Sequence, residues 1–232
     1  ILNLTPDSFY DGGSHNNIND ILTHCEKMLT DGADIIDIGA FSSRPGMEII
    51  SVEEEHNRLL PSLIEIKKHF PEATISIDTF RKDVAEKAID CGADIINDIS
   101  GGSFDEKMFD TVASLQVPYI LTHTPAKPDC MQKSTNYNNL FMDICKYFSE
   151  RLERLRMLGA KDIVLDLGFG FGKTIEQNYE LLSRQKEFEI FNETCFLHAF
   201  ALQNGANILR VHDVAIAKNC IKLFNLYNTN SK

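Results

Sequence analysis

The sequence predicts an α/β chain folded as a (β/α)8 TIM barrel, and three observations carry that prediction. Helical and strand patterns alternate along the chain, as they must where parallel strands are joined by helical crossovers. The strand interiors are almost wholly apolar, which suits a sheet covered on both faces. A Gly-Ala pair leads into a short β-forming run four times: "GADIID" from Gly32, "GADIIND" from Gly92, "GAKDIVLD" from Gly159 and "GANILRVHD" from Gly205. Glycine ends a helix in the left-handed conformation, and the small alanine lets the chain turn into the next strand.

The elements follow in order. "ILN" reads as a first strand. Ile18, Ile21, Leu22, Cys25 and Leu29 share one helical face. "DIIDIGA" is the second strand. Ser51 to Glu54 forms a capping box that opens a helix running to Phe70. "TISIDT", "DIINDIS", "PYILTH" and "DIVLDLG" are the next strands, each separated from the last by a helix. "NILRVHD" is the final one. That makes seven strands, whereas a closed barrel of this type has eight. The deficit falls where the helix ending near Phe191 runs straight into a second helical stretch, "NETCFLHAFALQNG". The expectation is therefore a single domain over residues 1–232, beginning inside a strand and interrupted near residues 190–193, where the seventh strand region is missing.

Bulk properties narrow the function. The net charge of −11 argues against a nucleic-acid or membrane-surface binder. No apolar run approaches the length of a membrane span. Six cysteines are scattered without Cys-x-x-Cys spacing, so buried thiols in a reducing cytoplasm are expected rather than zinc or disulfides.

In a barrel of this kind the chemistry sits at the C-terminal ends of the strands. Those ends collect Asn3, Asp37, Asp78, Asn97, His123, Asp166, Arg210 and His212. A lone strand-end Asp is usually a cap or a loop hydrogen bonder. Several converging ones need a ligand, because an unpaired buried polar group costs ~1–3 kcal/mol. Asp, Asn and Asp suit an aminopyrimidine edge such as that of a pterin or guanine, since a carboxylate accepts two parallel N–H bonds. Arg44, Arg210 and His212 offer donors to a phosphate or carboxylate. "DLGFGFGKT", from Asp166 to Thr174, resembles a phosphate loop only at its end, because Leu167 stands where that motif needs glycine. Its glycines let backbone approach a ligand, with Phe169 or Phe171 available for stacking. Lys173 is equally readable as a site cation or as a solvated residue at a helix start. Asp7 and Phe9 lie in one turn-rich loop and Ser43 and Arg44 in another, where lids would form.

Together "ILNLTPDSF", "DIGAFSSRPG", "SIDTF", "INDISGG", "DLGFGFGKT" and "RVHDV" resemble the dihydropteroate synthase family of the folate pathway. The motifs run in family order from Ile1 to Val214. The resemblance implies an enzyme that joins 6-hydroxymethyl-7,8-dihydropterin pyrophosphate to p-aminobenzoate and is the target of sulfonamides. It implies that Asp78, Asn97 and Asp166 hold the pterin edge, supported by Asp37. Asn3 would place Mg²⁺ and the pyrophosphate, with Arg210, His212 and Arg44 on the pyrophosphate. Thr5, Asp7, Phe9, Ser43 and Pro45 would belong to closing loops, and Gly170 and Phe171 to the p-aminobenzoate side. A cytoplasmic homodimer is the implied state.

The chain departs from the family pattern in places. Leu167 replaces the usual proline, and Ala40-Phe41-Ser42-Ser43 replaces the commoner Gly-Glu-Ser-Thr. The Ser-Arg-Lys of the family's seventh strand is not found. Two other readings stand beside the synthase: a methyltetrahydrofolate-binding methyltransferase, and a non-catalytic pterin-binding barrel.

Overall fold

The structure, a computed structural model, describes residues 1–4, 16–40, 50–126 and 135–191. Six parallel strands hydrogen-bond in chain order: β1 Leu2–Asn3, β2 Ile35–Gly39, β3 Thr74–Asp78, β4 Ile95–Asp98, β5 Tyr119–Thr122 and β6 Ile163–Asp166. The intervening helices are α1 Asn16–Thr30, α2 Val52–His69, α3 Lys82–Asp90, α4 Met108–Leu115 and α5 Leu140–Met157. Helix α6, Ile175–Ser183, leads to a 3-10 stretch at Gln185–Phe191. Strictly alternating β and α elements with neighbouring parallel strands form the continuous arc of a (β/α) barrel. The final strand expected at "NILRVHD" and the junction near residues 192–193 lie outside the described residues.

The chain divides into two compact units. The first comprises Ile1–Asn136 and Glu150–Lys173, and the second Tyr137–Ser149 and Thr174–Lys232. All six strands belong to the first. Its core lies between sheet and helices. Ile36, Ile38, Ile75 and Ile77 pack there with Ile21 and Cys25 of α1, Leu59, Leu63 and Ile66 of α2, and Val84 and Ala88 of α3. Because side chains alternate along a strand, burying these isoleucines sends Asp37, Ser76 and Asp78 to the other face.

Three of the four Gly-Ala pairs work as expected, and the fourth, at Gly205, lies outside the described residues. Gly32, Gly92 and Gly159 all have positive φ. The alanine N–H after each reaches back into the preceding helix, with Ala33 to Met28, Ala93 to Ala88 and Ala160 to Leu155 all at 3.0 Å. This is the Schellman closure, and it fixes where the chain leaves the helix layer for the sheet. The capping box expected at Ser51 is only half formed. Ser51 Oγ accepts from the Glu54 N–H at 3.1 Å, but the Glu54 carboxylate accepts from Arg58 Nε at 2.8 Å instead of from the cap. A complete box stands in the second unit, where Thr174 and Gln177 cap α6 reciprocally.

Candidate functional site

Register sets the site. Asn3 pairs with Gly39, Gly39 with Asp78, and Asp78 with Asn97, so the strand ends form one row. Gly39 keeps the row open: a Cβ there would stand 3.3 Å from Oδ2 of Asp78. Asn97 Nδ2 donates to both oxygens of Asp37 at 3.2 Å. These two residues are two strands apart, roughly 9.6 Å across a flat sheet. They can meet only where the sheet curls inward around β3. The strand-end acids therefore face the concave side of the arc.

Asp78 lies between Gly39 and Asn97 in this row, and Asp37 pairs with Ser76 on the same face, two residues earlier in the strands. Burial, then the nearby charges of Asp37, Asp98 and Glu55, holds its carboxyl well above the usual range. Below it Ser76, 1% exposed, has a hydroxyl with no hydrogen-bond partner among the described residues. Asp166 ends β6 opposite Thr122, and its Oδ1 accepts from the Gly168 N–H at 2.9 Å. Phe169 turns outward with 41% of its surface exposed, while Phe171 is partly buried. That separates the two rings the sequence left as alternatives. Gly170 is exposed in the same loop.

Other expectations fare differently. Asn3 is exposed at the end of β1, beside Gly39. His123 is only 3% exposed, and burial together with Lys173 and Arg151 pushes it down to about 3, so it is a neutral imidazole. Lys173 is not solvated: it is 5% exposed. Thr5, Asp7, Phe9, Ser43, Arg44, Pro45, Arg210 and His212 lie outside the described residues.

Two supporting groups escaped the sequence reading. Asp98 points to the helix side of the sheet, fully buried, and accepts from the Ser100 and Gly102 N–H groups and the Tyr119 hydroxyl at 2.7–2.8 Å. Behind β3, buried Glu55 accepts from Thr79 Oγ1 at 2.7 Å and from Arg81 at 2.6 Å. Arg81 also donates to the Ile50 carbonyl. The parity rule exposes Asp98: it follows Asn97 directly, so the two must face opposite sides. No such local signal marks Glu55.

The arrangement offers carboxylates as acceptors, one of them oriented by a carboxamide and another with a raised proton affinity. A planar ligand bringing N–H donors along one edge would complete it. Among the described residues no three His, Cys, Asp or Glu side chains cluster as a metal site. The fold and the site together are those of a (β/α) barrel with an acidic end to its strands.

Comparison with known proteins supplies the rest. Residues 1–198 match the family of pterin binding enzymes. The chain is 46% identical over 202 residues to the folic acid synthesis protein fol1 of Pneumocystis carinii, covering 84% of this chain but only 26% of that longer protein. It is 38% identical over 242 aligned positions to the dihydropteroate synthase of Escherichia coli K12, covering 92% of this chain and 85% of that one. Among solved structures, a Clostridium difficile dihydropteroate synthase with pteroic acid superposes with TM-score 0.75 and 31% identity, over 97% of this chain and 94% of that one. A Yersinia pestis dihydropteroate synthase in a sulfonamide complex gives 0.74 and 32%, over 98% and 92%. The chain belongs to the dihydropteroate synthase family of pterin-binding TIM barrels.

Proposed function

We propose that this chain condenses 6-hydroxymethyl-7,8-dihydropterin pyrophosphate with p-aminobenzoate, and that the concave row of strand ends is the pterin end of its site. The observation that carries this assignment is the Asn97–Asp37 bridge across β3, set beside Asp78. Asn97 spends its N–H₂ on Asp37, so its carbonyl oxygen remains an acceptor for the ligand. Asp78 takes N–H donors from the pterin edge, and those donors favour its ionised form. Asp166 approaches the same ring from β6. Family membership and the structure of the Clostridium difficile relative in the presence of pteroic acid support this reading, because pteroic acid contains both the pterin and the p-aminobenzoate halves.

The reaction forms a bond from the p-aminobenzoate nitrogen to the exocyclic methylene carbon and breaks that carbon's bond to the pyrophosphate oxygen. The nitrogen then gives up a proton. Positive charge on the methylene spreads into the dihydropterin ring in the transition state, and the carboxylates of Asp37, Asp78 and Asp166 favour it. The aryl amine is neutral near pH 7, so no strong base is needed. Asn3 offers an exposed amide oxygen at the end of β1, a hard donor that fits Mg²⁺, which keeps most of its waters and takes substrate phosphates. When bound, that ion would neutralise charge on the leaving pyrophosphate. Arg44, Arg210 and His212 are assigned to the same anion on the strength of the sequence motifs. Thr5, Asp7, Phe9, Ser43 and Pro45 are assigned to the loops over it, and Gly170 and Phe171 to the p-aminobenzoate side, where sulfonamides would compete.

A second reading has its own support. The 242 positions aligned to the Escherichia coli enzyme are carried by 92% of 232 residues, about 213, so about 29 positions face gaps in this chain. With no Ser-Arg-Lys in the sequence, that shortfall favours a barrel that binds pterin and turns over poorly. One experiment separates the two: pyrophosphate release with Mg²⁺ and the pterin pyrophosphate, with p-aminobenzoate present or omitted. Release that requires p-aminobenzoate and yields dihydropteroate establishes the synthase. Pterin binding without release overturns it in favour of the second reading.

A further inference from the structure

The loop after β6 has a feature that pterin recognition does not use. Lys173 is buried under it, and its ammonium donates to the carbonyls of Gly168 at 2.8 Å, Phe171 at 2.9 Å and His123 at 3.4 Å. An ammonium has three N–H donors, and three carbonyls take them. Two of those carbonyls belong to the loop itself, and the third belongs to the residue that follows β5. The loop is pressed close against that strand end: Gly168 has φ +64°, and a Cβ there would stand 2.1 Å from the His123 carbonyl oxygen. The Phe171 N–H closes a turn onto the Gly168 carbonyl at 3.0 Å, and Asp166 holds the Gly168 N–H. These three bonds therefore fix the path of the chain between Asp166, at the pterin end, and the Phe171 ring.

We propose that Lys173 is a positioning residue for the second substrate: by folding residues 167–172 onto the end of β5, it sets the Phe171 ring at the spacing from Asp166 that p-aminobenzoate requires. This rests on the assignment of Phe171 to the p-aminobenzoate side given above. Among the described residues, the charged and titratable groups around the ammonium include Asp166 from β6, the neutral His123 after β5, and Arg151 of α5, which acts on His123. Burial lowers Lys173 to about 8, against the opposing pull of Asp166. A neutral amine keeps two donors, so one of the three carbonyls is released as the pH rises past that value.

The test compares wild type with Lys173→Met, Lys173→Arg and Phe171→Ala. Pyrophosphate release gives a KM for each substrate, and calorimetry measures p-aminobenzoate binding to the protein loaded with inorganic pyrophosphate, which leaves nothing to react. Lys173→Met is expected to weaken p-aminobenzoate by about 10- to 100-fold while the KM for the pterin stays within about twofold. Wild-type affinity for p-aminobenzoate should fall about fivefold between pH 7 and 9.5, and Lys173→Arg, which keeps its charge, should show no such fall. A folded Lys173→Met protein with unchanged p-aminobenzoate affinity overturns the proposal, as does an equal loss for both substrates. If Phe171→Ala leaves p-aminobenzoate affinity intact, the assignment of that ring fails, and the proposed spacing with it. Pterin binding with neither p-aminobenzoate binding nor release in wild type shows instead that the function reading itself has failed.

Discussion

Asp78 and Asp98 end neighbouring strands of one sheet and face opposite ways. Both are buried enough that desolvation raises them above the usual carboxylate range. What differs is the supply of donors. The oxygens of Asp98 are met by two backbone N–H groups and the hydroxyls of Tyr119 and Ser100. Among the described residues no group donates to Asp78, and its neighbours in the field are Asp37, Asp98 and Glu55, all acidic. On the helix face the protein satisfies its own acid, which then holds the β4 loop. On the concave face the acid is left for donors that a ligand brings. A part-buried carboxylate with no donor among the described residues opposes folding, so its presence at the end of β3 points to a partner beyond them.

The largest effect expected from breaking this contrast comes from Asp78→Asn. The substitution keeps the shape and removes the charge, and it should lower turnover by on the order of 100-fold. It should also raise the stability of the free protein. Asp78 has a folded pKa above its unfolded value of about 3.9. Its contribution is therefore fully present below that pH and is lost as pH rises through the folded value. The stability gain of Asp78→Asn should be near zero at pH 4 and clear at pH 8. Thermal melts at the two pH values check it, and a variant less stable than wild type at pH 8 contradicts the contrast.

Asp98→Asn should do the reverse. An amide N–H₂ must then face donors that the carboxylate now accepts, which costs about 2–3 kcal/mol. Chemical denaturation measures it. Turnover per folded molecule should fall less than in Asp78→Asn, because Asp98 acts through the loop at Ser100–Gly102 rather than on a ligand.

The difference between the two acids was half legible in the sequence. Strand ends and their alternation follow from period and from the Gly-Ala closures, so Asp37, Asp78, Asn97 and Asp166 were found as candidates. Asp98 follows from the same alternation but has nothing in its local pattern to show Tyr119, 21 residues on, as its partner. Lys173 was less legible still. Its burial depends on Gly168 pressing against the residue after β5, a contact spanning 45 positions of chain. Composition cannot distinguish that lysine from a solvated one at a helix start. Similarly, the half-formed box at Ser51 failed because Glu54 had a competing partner in Arg58, one turn along the helix.

Asn97→Ala sharpens the contrast at smaller scale. It removes both 3.2 Å contacts to Asp37 and a ligand acceptor, so pterin affinity should drop about tenfold, equivalent to ~1.4 kcal/mol. Stability should change little, since Asp37 is partly exposed and water can replace the lost donor. Titration of the pterin pyrophosphate against the variant checks it. A loss of stability matching that of Asp98→Asn would mean that the concave row also holds the fold.

The smallest expected effect is that of Tyr119→Phe. The ring stays packed edge-on against Phe109 at 6.0 Å, and only the hydroxyl is lost. Oδ2 of Asp98 still accepts from the Gly102 N–H, and Oδ1 from that of Ser100. The cost should be about 1 kcal/mol of stability, with both KM values unchanged. Combining Tyr119→Phe with Asp98→Asn should then cost less than the two separately, because both remove the same hydrogen bond. Pairing Tyr119→Phe with Asp78→Asn should give additive stability changes, since the Tyr119 hydroxyl donates to the helix-face acid. Coupling in that second pair would show that the two faces of the sheet are not independent, and that the free acid on one side leans on the satisfied acid on the other.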